Sequence, residues 1–151
     1  MNSKIKFFTL VLMGGLLFST GCKKDDPTPE ITPATINVSL DGSQWTTTNV
    51  VSAKDGSNFT FLATKGEESL LITLPALTVD TFLVDGTTST AGRYTTDLSD
   101  PIKTFYAGSG SIEITSIKNN QFQAVFNLNT KSAMGQKKIF TKGYMTNIVI
   151  P

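Results

Sequence analysis

Ser111-Ile112-Glu113-Ile114-Thr115, followed by Gln121-Phe122-Gln123-Ala124-Val125-Phe126-Asn127-Leu128, decides the fold. Ile112 and Ile114 fall on one side of the first stretch, with Glu113 and Thr115 on the other. Phe122, Ala124, Phe126 and Leu128 alternate in the same way with Gln121, Gln123, Val125 and Asn127. Side chains that repeat every second residue belong to a strand with one apolar face. Lys118-Asn119-Asn120 supplies the turn, because asparagine tolerates the backbone conformations that tight turns demand. The two stretches therefore form an antiparallel pair.

The same alternation extends in both directions. Ile36, Val38 and Leu40 alternate with Asn37, Ser39 and Asp41, and Asp41-Gly42 is a strong hairpin signal before a threonine-rich strand beginning at Trp45. Phe59, Phe61 and Ala63 alternate with Thr60, Leu62 and Thr64 after a turn at Asp55-Gly56. Leu70 to Leu74 is almost continuously apolar, which predicts a central strand covered on both faces and ended by Pro75. Phe82 and Val84 precede a turn at Asp85-Gly86. Thr87 to Pro101 reads as the longest irregular region, within which Arg93-Tyr94-Thr95 can pair briefly. Phe105 and Tyr106 precede Gly108 and Gly110. A loop at Ser132 to Gln136 leads to a final strand, Lys138 to Ile150.

No helical period persists, and threonine is abundant, as suits pleated surfaces. About nine short strands separated by turns predict an all-β fold, an antiparallel β-sandwich, with a flattened small lipocalin-like barrel as the alternative. The expected core is Trp45, Phe59, Phe61, Leu70, Ile72, Leu74, Ile112, Ile114, Phe122, Phe126 and Tyr144.

The amino-terminal segment has a different character. Lys4 and Lys6 form a basic start, and Phe7 to Phe18 an apolar run containing Gly14 and Gly15. As a helix that run reaches about 18 Å, short of a hydrocarbon core about 30 Å thick. It reads as the hydrophobic part of a signal peptide, residues 1–21. Phe18-Ser19-Thr20-Gly21-Cys22 resembles the lipobox of bacterial lipoproteins, a resemblance that implies cleavage before Cys22 and lipid attachment to it. Lys24-Asp25-Asp26 resembles the surface-export signal of Bacteroidetes lipoproteins. Residues 22–35 carry Pro27, Pro29 and Pro33 and read as an extended tether, with a single β domain over residues 36–151. The expected address is the outer membrane, with the domain at the cell surface and a periplasm-facing domain as the alternative.

Composition narrows the chemistry. Losing Lys4 and Lys6 from 13 basic residues leaves 11 against 12 acidic ones. No basic run is longer than two residues, as at Lys137-Lys138, read as part of a loop, so nucleic-acid binding has little support. Histidine is absent, and Cys22 is the single cysteine. Ser-His-Asp triads, Cys-His nucleophiles and Cys/His zinc sites are thereby excluded. With no disulfide available, core packing alone must hold the domain.

Leu40-Asp41-Gly42-Ser43-Gln44-Trp45, Gly92-Arg93-Tyr94, Gly110-Ser111-Ile112-Glu113-Ile114-Thr115, Phe122-Gln123-Ala124-Val125-Phe126 and Lys142-Gly143-Tyr144 occur in an order that resembles an uncharacterised family of Bacteroidetes lipoprotein domains. The resemblance covers most of residues 36–151 and implies an all-β fold and an envelope address, but no reaction. Gln123-Ala124-Val125-Phe126 stands where that family often has Gly-Thr-Phe.

Several residues are candidates for chemistry. Asp80, Asp85, Asp97 and Asp100 share one irregular stretch and offer oxygen ligands for calcium, without the spacing of an EF-hand loop. Glu67, Glu68 and Glu113, each paired with one of these aspartates, offer the acid and nucleophile of a glycosidase, and nothing in the spacing selects a pair. Tyr94 and Tyr106 flank the longest loop and form the candidate binding patch, since amphipathic rings stack on sugars and are enriched in recognition surfaces. The expected function is a non-catalytic binding or structural module of the envelope, monomeric and without cofactor or metal. Its partner is expected to be a glycan or another envelope protein. A carrier enclosing a small apolar ligand is the alternative, and a carboxylate-based glycoside hydrolase a third reading.

Overall fold

Alternation of apolar and polar side chains drives the backbone into strands, and the turns between them set the pairing. The computed structural model describes residues 32–151. Ten strands form: β1 (Thr35–Leu40), β2 (Ser43–Thr47), β3 (Val50–Asp55), β4 (Asn58–Lys65), β5 (Glu68–Leu74), β6 (Thr81–Val84), β7 (Ala91–Thr95), β8 (Thr104–Lys118), β9 (Gln121–Ser132) and β10 (Lys137–Val149). A single 3-10 turn, Pro101–Lys103, precedes β8, with the Asp100 carboxylate accepting from Ile102 N–H at its start.

All ten strands belong to one antiparallel sheet in the order β2-β1-β10-β9-β8-β7-β5-β4-β3, with β6 joining β8 beyond the end of β7. The fold is therefore all-β, a single curled sheet whose two halves pack face to face. Hairpins at Asp41-Gly42 and Asn119-Asn120 have both residues at positive φ, as the tightest turns require. Strand β1 pairs with β10, so the first and last strands hold each other.

The connection from β2 to β3 runs between opposite ends of the strand order. Hydrogen bonds close this seam where no strand ladder does. Thr47 Oγ1 donates to the Thr64 carbonyl at 2.6 Å, and Thr64 N–H donates to the Asn49 carbonyl at 3.0 Å. Trp45 Nε1 donates to Glu68 Oε2 at 2.6 Å.

The concave face is filled with side chains. Phe61 on β4 meets Phe122 on β9 edge-on at 4.8 Å, and Tyr94 on β7 meets Phe140 on β10 at 5.2 Å. These pairs join strands that are not neighbours in the sheet, which shows that the two halves touch across the interior. Most of the expected core residues lie there, including Trp45, Phe61, Leu70, Ile72, Leu74, Ile112, Ile114, Phe122 and Phe126.

Five expectations need correction. Tyr144 faces outward and is 52% exposed, and Phe59 is only half-buried at the rim. Strand β5 is central in the sheet but not covered on both faces, because Leu71 and Thr73 lie half-exposed on the convex side. Arg93-Tyr94-Thr95 is no brief pairing inside a loop: β7 is flanked by β5 and β8 on its two sides. Lys137-Lys138 opens β10 instead of lying in a loop.

Bulges explain Tyr144. Inward residues of β10 are Phe140, Gly143, Met145 and Ile148, so the period of two slips twice. The register with β9 shifts at the same two places, around Lys142 and Asn147, both at positive φ. Each extra residue flips the side chains beyond it to the other face. Asn127 Oδ1 accepts from Lys142 N–H at 3.0 Å and satisfies the first bulge.

Glycine is needed where the inside is tightest. A Cβ on Gly143 would lie 2.6 Å from the Phe126 ring, so the ring occupies the space a side chain would take. Overpacking of this kind costs about 1–3 kcal/mol. Gly143→Ala should lower stability by that amount in urea unfolding, and Phe126→Leu in the same chain should recover part of the loss. A Gly143→Ala midpoint equal to that of the wild type would contradict this packing.

Candidate functional site

On the convex face, residues directly opposite each other on adjacent strands form rows. One row reads Leu71 on β5, Arg93 on β7, Tyr106 on β8, Lys131 on β9 and Lys137 on β10. Arg93, Tyr106, Lys131 and Lys137 are all exposed, Tyr106 by 59%. Directly opposed side chains start about 4.5–5.5 Å apart at Cβ, so the phenol stands between two cationic neighbours. Strand alternation puts them outside: Phe105, Thr130 and Ser132, their sequence neighbours, all face in.

Beside this row the sheet is locally distorted. The β8–β9 register shifts between Ala107 and Ser109, leaving Gly108 as the extra residue. A shallow depression of about 310 Å³ opens there, lined by Gly108, Ser109, Asn129, Lys131, Lys137 and Ile139 among others. Asn129 Nδ2 donates to Ser109 Oγ at 3.2 Å, which sets the two polar groups side by side. The depression is at the lower end of ligand-pocket size. Its edge carries Lys131 and Lys137. We call this surface the shelf.

Two lysines away from the shelf are ion-paired, and among the described residues the shelf's cations, like Lys65, Lys118 and Lys142, are not. Lys103 pairs with Asp97 at 2.9 Å and Asp100 at 3.7 Å, and Lys138 with Asp41 at 2.8 Å. Lys54 lies over the Phe59 ring at 5.3 Å. Among the described residues, Arg93, Lys131 and Lys137 enter no ion pair. Lys131 and Lys137 are moreover directly opposite each other, an arrangement of like charges that weakens a sheet.

The candidate pair Tyr94 and Tyr106 is split by the sheet. Tyr106 is on the shelf. Tyr94 is 1% exposed and packs inside against Phe105 and Phe140, so it is a core residue and cannot contact a partner. Burial, with the Glu68 carboxylate nearby, pushes its hydroxyl pKa far above the ordinary value. Cys22, Lys24, Asp25 and Asp26 lie outside the described residues.

The other carboxylates serve local structure. Asp85 Oδ1 accepts from the N–H of Thr87 and Thr88, and these bonds hold its pKa below the ordinary value. Asp80 accepts from Thr81 N–H. Among the described residues no three Asp or Glu side chains gather into a metal site. Glu68 holds the Trp45 indole at the seam, and Glu113 sits on the outer face of β8 opposite Thr81. Ser69 lies level with Thr104 through Thr95, so Glu113 is about 30 Å farther along β8. That exceeds any glycosidase spacing for the Glu68–Glu113 pair, whereas Asp80 lies beside Glu113, its backbone carbonyl accepting from Ile114 N–H at 2.9 Å.

A larger depression of about 500 Å³ opens at the strand ends beside Ile102, Lys103, Phe105, Met134, Gln136 and Lys138. Its lysines are already neutralised by Asp97, Asp100 and Asp41. Asp41 also accepts from Ile139 N–H at 2.9 Å. Partial burial pushes its pKa up, but Lys138 and that N–H outweigh burial and hold it low. These charges fasten the β1–β2 hairpin and the β7–β8 loop.

An all-β domain built on one curled sheet, with an aromatic and cationic shelf on its convex side, defines the class of protein. Residues 32–149 match the domain of unknown function DUF6252, and the chain belongs to that family. Neither the curated proteins nor the solved structures contain a match.

Sequence reading found Tyr106 but missed Arg93, Lys131 and Lys137. Alternation around Phe126, Leu128 and Thr130 assigns Lys131 to the outside. Which residues it faces depends on the bulge at Gly108, and that has no sequence signature beyond the glycine.

The loop charges carry a pH signature. Ser99 Oγ and N–H bonds to Asp97, with Lys103 beside it, lower the Asp97 pKa from 3.8 to about 2. Because the folded value is the lower one, this contribution is present above 3.8 and disappears as pH falls towards 2. The Asp97 carboxyl signal should titrate near 2 by NMR, and Lys103→Met should raise that midpoint. A midpoint at the ordinary value in the wild type would contradict the loop geometry.

Proposed function

We propose that this chain is a bacterial envelope lipoprotein of Bacteroidetes type, acylated at Cys22 and held in the outer membrane. Its β domain is displayed at the cell surface on the proline-bearing tether and acts as a non-catalytic binding module. The shelf around Tyr106 is its contact surface. The observation that carries this reading is an exposed ring directly opposite two cations, Arg93 and Lys131, that enter no ion pair among the described residues. Aromatics and arginine are enriched at recognition surfaces for their large contact area and directional hydrogen bonding.

The filled interior favours a surface contact over a carrier. Phe61, Phe122, Tyr94 and Phe140 occupy the volume in which a barrel would hold an apolar ligand. The anchor rests on the lipobox-like Phe18 to Cys22, and surface display on Lys24-Asp25-Asp26. Two or three acyl chains hold a protein at a membrane without any spanning helix.

The native protein should partition into detergent, and mass spectrometry of its first peptide should show an acylated Cys22. Protease added to intact cells should release the β domain. Full-length protein should also bind isolated envelope material, and Tyr106→Ala should weaken that binding about tenfold without lowering stability. An unacylated amino terminus sinks the anchor. Binding indifferent to Tyr106 sinks the shelf.

A further inference from the structure

The chemistry of the shelf selects among partners, an argument that rests on its being the contact surface. Arg93, Lys131 and Lys137 place three positive charges along one cross-strand row, with Tyr106 between Arg93 and Lys131. Arg93 and Lys131 are two strands apart, about 10 Å. Lys131 and Lys137 repel each other in the empty sheet, and an anion between them removes that repulsion. The partner is therefore anionic, with charges repeated along its length.

The surface shape narrows the choice further. At this row β7, β8 and β9 are paired on both sides, and β10, whose ladder with β1 stops at Phe140, is held at Ile139 by Asp41. A peptide has no free strand edge to extend here, which removes its commonest way of binding a sheet. The row also runs around the convex side of a curled sheet, so a flat bilayer meets only part of it. A chain-like ligand can follow the curve. Tyr106 offers a ring face on which a pyranose can stack, and Asn129 and Ser109 offer an amide and a hydroxyl for sugar hydroxyls. Arg93 presents a planar fork that takes a carboxylate through two parallel bonds.

We infer that the shelf binds an acidic polysaccharide, one whose sugar rings carry carboxylates, with a ring on Tyr106 and carboxylates on Arg93, Lys131 and Lys137. Sugar rings bridge the distance between successive cations, and the depression at Gly108 receives the hydroxyl groups.

Polygalacturonate is a suitable probe, with neutral dextran and poly-glutamate as comparisons and the full-length protein in detergent. Polygalacturonate should bind, more weakly as salt rises. Replacing Lys131 and Lys137 together by Gln should weaken it about tenfold or more. Tyr106→Ala should weaken polygalacturonate but leave any poly-glutamate binding unchanged, since only sugar stacks on the ring. Lys118→Gln, a charge change away from the row, should have no effect. The double Gln variant should unfold at or above the wild-type midpoint, because it removes a repulsion. No binding to polygalacturonate overturns the inference. So does equal binding to dextran, or poly-glutamate bound as tightly and equally dependent on Tyr106. Envelope binding that still depends on Tyr106 while polygalacturonate fails overturns the ligand class and leaves the contact surface standing.

Discussion

A sheet with one apolar face and nothing else to cover it has to cover itself. Every long strand carries most of its large apolar side chains on one side, and the described residues offer no α-helix or second sheet to pack against them. Curling brings Phe61 against Phe122 and Tyr94 against Phe140, strands that the hydrogen-bond ladder never joins. The bending is local and has identifiable causes. Bulges at Gly108, Lys142 and Asn147 kink β8 and β10, and glycines relieve the crowding that curvature creates. Gly110, at φ 148°, lies so close to the Asn127 carbonyl that a Cβ has no room. Gly92 sits under Leu128, and Gly143 under Phe126.

Curling also fixes the outer face. Once Phe105, Thr130 and Ser132 point inward, Tyr106 and Lys131 have no alternative but to point out. The shelf is thus the reverse side of the core. Its cations Arg93, Lys131 and Lys137 enter no ion pair among the described residues. Lys131 and Lys137 face each other where β9 ends and β10 begins, an arrangement of like charges that costs the hairpin stability.

Much of the fold was legible in the sequence because strand alternation is a local property. Ile112 and Ile114, the Phe122 to Leu128 series, and the turns at Asp41-Gly42 and Asn119-Asn120 all sit where their patterns place them. What misled was non-local. Tyr144 is out of step because an extra residue precedes it, and Gly108 and Gly110 lie inside the single long strand β8. Tyr94 looked like a loop residue because the strand holding it is short and its partners, β5 and β8, come from distant sequence. Site residues were harder still. Arg93, Tyr106, Lys131 and Lys137 are separated along the chain, and only register brings them into one row.

Chemical nitration of the native protein with peptide mapping tests the parity of the sheet most directly, since its three tyrosines report on both faces. Rapid modification of Tyr106 and Tyr144 with protection of Tyr94 until unfolding is the result expected. Tyr94 modified as fast as Tyr106, or Tyr106 protected, would contradict the account of core and shelf together.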